Sequence, residues 1–254
     1  MIKVELDKEN RIGKVLIDRQ EKMNAITVSM RREIGERILE LEKSPDVRVI
    51  IVRGLGGKAF SSGGDVSEFL SLTPETLIDW GEDLSSSERI TKPVIASIDG
   101  YTFGAGLELA LSCDIRIATP RSEFGLPEIR LGMVPASGGI TRLVKVLGLS
   151  RATYMLMLGK RIDSQLAYQW GIVHEIVDAE KLDERTYEVA KELAGLSPLA
   201  LKALKKVLHE IADSPMYVGY DIERKTFGLL KYSGDFKEGV EAFLNKRKPK
   251  FDGK

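Results

Sequence analysis

Two glutamates, Glu108 and Glu128, are the residues of this sequence best suited to moving protons. Glu108 is the only charged residue between Asp99 and Asp114, inside Gly104-Ala105-Gly106-Leu107-Glu108-Leu109-Ala110-Leu111. Glu128 sits in Phe124-Gly125-Leu126-Pro127-Glu128-Ile129. A carboxyl taken out of water holds its proton more tightly, which suits it to acid/base work near neutral pH. Two such groups flanking one water could take a proton from it and give one to a substrate carbon. They lie 20 positions apart, so only the fold can bring them together. Each also has an ordinary structural reading. An acid in a helix's first turn is favoured by the helix dipole, and an acid just after proline starts many short helices. The local sequence does not choose between these readings.

The elements that must position the pair are legible in part. Val94 to Ile98 is a short β-branched run, a buried strand. Asp99-Gly100 and Gly104-Ala105-Gly106 are breakers. The apolar helix that follows starts near Gly104, where free backbone N–H groups favour a developing negative charge. A second segment, Lys58-Ala59-Phe60-Ser61-Ser62-Gly63-Gly64-Asp65, could expose a backbone N–H at Gly64. Its ordinary reading is a strand-to-helix loop with Asp65 as the cap.

Further out, Ile2–Leu6 and Lys14–Asp18 read as a hairpin. Thr27 reads as the N-cap of a helix with Met30, Ile34, Ile38 and Leu41 on its buried face. Val47–Val52 reads as a strand, Ser67–Leu72 and Pro74–Ile90 as helices. Ile115–Ala118 and Val173–Val177 read as further strands. Gly139–Val146 starts another helix, and Ser150 and Asp163 are candidate N-caps for the next two. Strand-turn-helix alternation predicts an α/β fold. After Leu182 only helical patterns remain, which predicts a core over residues 1–196 and an all-helical subdomain over 197–254.

Composition narrows the function classes. The chain has 254 residues with 38 Lys+Arg and 38 Asp+Glu, so no global field calls for nucleic acid or an acidic membrane. Its one cysteine, Cys113, reads as core in an apolar helix and allows no internal disulfide. His174 and His209 lie outside every motif, and no Cys/His cluster suggests a metal. No signal peptide or membrane span is predicted, so the expected location is cytoplasmic.

The combination Gly104-Ala105-Gly106-Leu107-Glu108-Leu109-Ala110, Cys113-Asp114, Phe124-Gly125-Leu126-Pro127-Glu128 and Gly138-Gly139 strongly resembles the signature of the crotonase superfamily, and within it enoyl-CoA hydratase. The resemblance runs from Asn24-Ala25 to Lys246. It implies a spiral of ββα units and hydration of a trans-2-enoyl-CoA to a 3-hydroxyacyl-CoA. It further implies Glu108 as the base that activates water and Glu128 as the acid at the α-carbon. The N–H groups of Gly64 and Ala105 would form an oxyanion hole for the thioester carbonyl. Lys58, Ala59, Ser62, Gly63 and Asp65 would hold coenzyme A, together with Phe243 and Lys246 supplied by a neighbouring subunit. Ala136 stands where many hydratases carry glycine, which would narrow the pocket slightly. No cofactor is implied, because coenzyme A is part of the substrate, and the expected assembly is a homotrimer or a dimer of trimers. The alternatives are Δ3,Δ2-enoyl-CoA isomerase activity, which needs one carboxylate, or another crotonase-type acyl-CoA lyase or isomerase activity, and a non-catalytic RNA-binding or assembly protein using Lys246-Arg247-Lys248.

Overall fold

In this computed structural model all residues except 79, 81 and 82 are described. The hairpin is formed by β1 (Ile2–Asp7) and β2 (Ile12–Ile17), and α1 (Val28–Lys43) follows. Thr27 caps α1, its Oγ1 accepting from the Met30 N–H at 3.1 Å, and the Met30, Ile34, Ile38, Leu41 stripe is buried. Three turns of one pattern then build the body. β3 (Val49–Gly54) leads to β4 (Ala59–Ser61), a 3-10 helix Val66–Ser71, α2 (Pro74–Ile78) and α3 (Ser86–Arg89). β5 (Val94–Ile98) leads to β6 (Tyr101–Phe103) and α4 (Ala105–Ser112). β7 (Ile115–Ala118) leads to β8 (Glu123–Gly125), a 3-10 helix Glu128–Leu131 and α5 (Gly139–Met157). β9 (Arg161–Asp163), α6 (Ser164–Gln169) and β10 (Glu175–Ile176) complete the strands. The chain ends in four helices, α7 (Leu182–Ala194), α8 (Pro198–Ile211), α9 (Met216–Leu230) and α10 (Gly234–Leu244).

In each turn the first strand joins a six-stranded sheet, ordered β1-β2-β3-β5-β7-β10, and the second joins a four-stranded sheet, ordered β4-β6-β8-β9. Pairing is parallel except at β1/β2 and β8/β9. The fold is thus the expected mixed α/β spiral with a helical C-terminal region. The parallel strands β3, β5 and β7 of the large sheet are buried on both faces, as parallel sheets are, whereas the edge strand β1 is largely exposed. On β3, Ile50 and Val52 face the main core, whereas Val49 and Ile51 pack with Ile95, Ile117, Leu182 and Val189 under α7. The corner between β5 and β6 requires Gly100: its φ is +81°, and a Cβ there would overlap the Lys58 carbonyl oxygen.

Several sequence-based expectations are corrected. The small sheet was not anticipated, because three-residue strands are too short to show alternation. Pro74–Ile90 is not one helix. α2 stops at Ile78 and α3 starts at Ser86, and residues 79, 81 and 82 of the expected helix lie outside the described residues. The break in α5 falls at Gly148 (φ 73°, ψ 161°), so Ser150 is not a cap. Asp163 does cap α6, its carboxylate accepting from the Leu166 N–H at 2.8 Å. Cys113 is buried as expected but terminates α4 instead of lying within it. The last strand shrinks to Glu175–Ile176. Among the described residues no helix is long and apolar enough to cross a membrane.

The helical end is tied to the sheet by a buried ion. Lys205 of α8 donates from Nζ to the Ser87 carbonyl (2.7 Å), the Lys92 carbonyl (3.0 Å) and Asp114 Oδ2 (2.7 Å). The same Asp114 oxygen accepts from the Val94 N–H at 2.8 Å, where β5 begins. Removing Lys205 strands the Asp114 carboxylate, which is 26 % exposed, so the cost is expected to fall below the ~3–5 kcal/mol of a fully buried pair. Lys205→Ala is therefore expected to lower the urea midpoint markedly. An unchanged midpoint would show that α8 contributes nothing to holding the sheet.

Candidate active site

Apart from Glu108 and Ser112, α4 is apolar, and every one of its residues is buried, so the helix is held inside the molecule. It starts at Gly104, whose φ of 49° and ψ of −126° are reached readily only by glycine. Glu108, one turn in, is 2 % exposed. Its Oε1 accepts from the backbone N–H of Ser137 at 2.7 Å and of Gly139 at 3.1 Å. Gly139 opens α5, so the carboxylate sits at a helix N-terminus, where negative charge is favoured. Glu108 Oε2 accepts no hydrogen bond from the described residues. Ser137 is itself held from two sides: Arg31 Nη1 donates to its Oγ (2.7 Å) and Arg142 Nη1 to its carbonyl (2.6 Å).

Pro127 ends an extended segment, and the 3-10 helix after it begins with Glu128. This carboxyl is 9 % exposed, and its Oε2 has no hydrogen-bond partner among the described residues. Burial pushes it up to about 7, and the nearby charge of Glu108 adds to the shift. The two carboxyls thus differ in environment: one is clamped by donors, the other is dry and free. Environments that differ in this way divide acid from base roles between paired carboxyls.

Both glutamates line one cavity of about 360 Å³. That is within the usual range for small-molecule sites. Its walls are mainly apolar, from Val66, Phe69, Leu72, Leu77, Leu131 and Met133. Gly64 and Ala105 line it too, and neither backbone N–H donates to an acceptor among the described residues. Among the described residues there is no group of three or more His, Cys, Asp or Glu placed to hold a metal ion.

Other residues singled out from the sequence divide into two sets. Ser62, Gly63 and Ala136 line the same cavity. Lys58 and Ala59 line a separate small depression with Gln20, Met23 and Asn24. The Asp65 carboxylate is occupied within the chain, accepting from Arg19 Nη1 at 2.6 Å and from the Ser67 N–H at 3.1 Å as the cap of the following 3-10 helix. Phe243, 84 % exposed, and Lys246 lie at the end of α10 and do not reach the cavity of their own chain. Sequence reasoning missed Arg31, Trp80, Ser137 and Gly139. Arg31 left a signal: it falls on the same helical stripe as Thr27, Ile34 and Ile38, where a charge is out of place.

The Glu128 environment predicts a stability effect. Its native pKa of about 7 lies above the ordinary 4.5, so the folded protein keeps a proton that the unfolded chain releases. Stability then falls as pH rises from about 4.5 through 7, by about 3 kcal/mol in all. Glu128→Gln removes this penalty and is expected to melt higher than the wild type at pH 8, with the gap closing below pH 5. A gap independent of pH would contradict the assigned environment.

A family model described as enoyl-CoA hydratase/isomerase matches residues 7–254. The chain is 37 % identical over 252 residues to a carnitinyl-CoA dehydratase of Citrobacter koseri, covering 96 % of this chain and 95 % of that protein. It is 36 % identical over 260 residues to a carnitinyl-CoA dehydratase of Salmonella typhi, covering 98 % of both. Among solved structures, an enoyl-CoA hydratase subunit I from Geobacillus kaustophilus superposes with a TM-score of 0.94 at 38 % identity, covering 100 % of this chain and 98 % of that one. An enoyl-CoA hydratase from Bacillus anthracis superposes with a TM-score of 0.93 at 28 % identity, covering 100 % and 99 %.

Proposed function

This chain belongs to the enoyl-CoA hydratase/isomerase family, and from that premise we propose that it adds water reversibly across the 2,3-double bond of an enoyl-CoA, giving a 3-hydroxyacyl-CoA. The observation that carries the proposal is the unequal pair of buried carboxyls in one apolar cavity. Water addition needs a base for the water and an acid for the α-carbon. Glu108, held by two backbone donors, is assigned the base, and Glu128, dry and proton-retaining, the acid. Charge that develops on the thioester carbonyl is assigned to the N–H groups of Gly64 and Ala105, which donate to no acceptor among the described residues. Preorganised donors of this kind contribute about 3–4 kcal/mol each. The second carboxyl disfavours the isomerase alternative as the main activity, since isomerisation needs only one.

The curated relatives' names favour a second reading, in which the same site dehydrates a carnitinyl thioester. The chemistry is shared; the acyl group differs. Incubation of the purified protein with crotonyl-CoA, following loss of the conjugated-thioester absorbance, tests the proposal. Absence of any turnover on enoyl or 3-hydroxyacyl thioesters would overturn it, and turnover of the carnitinyl thioester alone would favour the second reading.

A shared assembly is part of the same proposal. Leu204, Leu208, Phe227, Leu229, Phe243 and Leu244 are all more than half exposed on the C-terminal helices. Surfaces of this kind mark interaction sites. Packing of these helices against other subunits would cover them and bring Phe243 and Lys246 to a neighbour's coenzyme A. A protein that sediments as a monomer and still binds acyl-CoA normally would remove the shared-site element.

A further inference from the structure

Arg31 is an unusual wall for an apolar cavity. It is 4 % exposed, lines the cavity holding Glu108 and Glu128, and carries a guanidinium with five N–H donors. Its position is fixed. Nη1 donates to the Trp80 carbonyl at 2.5 Å and to Ser137 Oγ at 2.7 Å, and the guanidinium carbon lies 4.0 Å from the Trp80 ring centroid. That use accounts for one nitrogen. Nε and Nη2 have no acceptor among the described residues, yet neither is a donor sealed off by protein. They belong to a residue whose open surface is cavity wall.

Place matters as much as chemistry. Arg31 bonds Ser137 Oγ, and the Ser137 N–H bonds Glu108 Oε1, so the guanidinium lies one residue beyond the carboxyl assigned as base. With the thioester carbonyl at Gly64 and Ala105, the part of the acyl chain past the β-carbon runs beyond Glu108. Its wall there would be Arg31, Trp80, Phe69 and Leu77. The charges of Glu108 and Asp83 act on Arg31 and already balance it in part. The unmet demand is therefore for hydrogen-bond acceptors more than for net negative charge.

Building on the proposed hydratase reading, we infer that Arg31 is a specificity-determining residue that selects acyl groups bearing an oxygen acceptor beyond the β-carbon and disfavours acyl groups bearing a cation there. An oxygen of a carboxylate, ether or carbonyl can take the free N–H groups. A plain alkyl chain leaves them bare, and a quaternary ammonium group accepts nothing and meets a like charge. Hydrogen bonds to a charged donor are worth about 1.5–3 kcal/mol, roughly a tenfold to hundredfold preference.

Binding of saturated butyryl thioesters, plain or substituted at carbon 4, tests this without requiring turnover. Calorimetry on the full-length protein compares butyryl-CoA with 4-carboxybutyryl-CoA, 4-methoxybutyryl-CoA and 4-trimethylammoniobutyryl-CoA. The two oxygen-bearing thioesters are expected to bind about tenfold or more tightly than butyryl-CoA, and the cationic one more weakly than butyryl-CoA. The two oxygen arms separate an anion requirement from an acceptor requirement. Arg31→Met is expected to bring the four constants together, whereas a merely structural role would weaken all four and leave their ratios intact. The wild-type series alone overturns the inference if butyryl-CoA or the cationic thioester binds as well as the oxygen-bearing ones, and so do ratios that survive in Arg31→Met. Failure to hydrate crotonyl-CoA would strike the functional reading and leave these ratios standing as a separate result.

Discussion

Glu108→Gln and Glu128→Gln are each expected to lower crotonyl-CoA hydration by about three orders of magnitude, the middle of the range for a lost general acid or base. Glutamine keeps the volume of glutamate, so the cavity and the donors at Gly64 and Ala105 are undisturbed. At position 108 the amide oxygen can still accept from Ser137 and Gly139, but the group no longer takes a proton. At position 128 the amide no longer gives one. Thioester affinity is therefore expected to stay within a few-fold while kcat collapses. The double variant should lose little beyond the worse single one, because the two carboxyls act on the same water. Direction gives a further check. Hydration needs Glu128 protonated, so its rate should fall as pH rises through about 7. Dehydration starts from the same singly protonated pair with the proton on Glu108, and no net proton is consumed, so its kcat/KM should fall through the same range. Near-normal turnover in either variant would remove the two-carboxyl mechanism.

Gly106→Ala is expected to damage both stability and turnover, though residue 106 touches no substrate in the proposed mechanism. A Cβ at this position would lie 2.7 Å from the Ser61 carbonyl oxygen and 2.7 Å from the Ser61 Cβ. The carbonyl is backbone and cannot swing away, so α4 and β4 must separate. Overpacking of this sort costs about 1–3 kcal/mol. The same wedge acts on catalysis, because α4 carries Ala105 and the segment after β4 carries Gly64. Misplacing the two N–H groups by about 1 Å is worth about a hundredfold in kcat. The measurement is kcat on enoyl-CoA beside the melting temperature. A variant that melts lower yet keeps wild-type kcat would show that these two backbone donors are not the ones that matter.

The legible and illegible parts of this chain divide along physical lines. Strands β3, β5 and β7 were readable because short runs rich in β-branched residues stand out between breakers. Thr27 and Asp163 were readable because capping is a local interaction within three residues. The small sheet was not, since β4, β6, β8 and β9 are three residues each and are specified by partners far away in sequence. Glu108 and Glu128 could be nominated as isolated charges in apolar sequence, but their meeting in one cavity depends on two successive turns of the spiral. The clamp on Glu108 was invisible for a related reason: it uses backbone N–H groups of Ser137 and Gly139, which every residue type but proline offers. Arg31 was overlooked although its stripe position marked it, because a neighbouring pair of arginines on a charged helix reads as solvated surface.

The Lys205 contact has a bearing on how the chain is made. Asp114 is synthesised 91 residues before Lys205, and Lys92 and Ser87, just ahead of β5, 113 and 118 residues before it. At roughly 5–20 residues per second, translation leaves that carboxylate and the carbonyls of Ser87 and Lys92 without their ammonium partner for several seconds. The nascent chain can assemble its spiral in that interval, but the edge from which β5 departs stays open to water until α8 emerges. Ribosome-stalled chains ending before residue 205 are therefore expected to be cut by protease near Lys92, and chains that include α8 and clear the exit tunnel to resist.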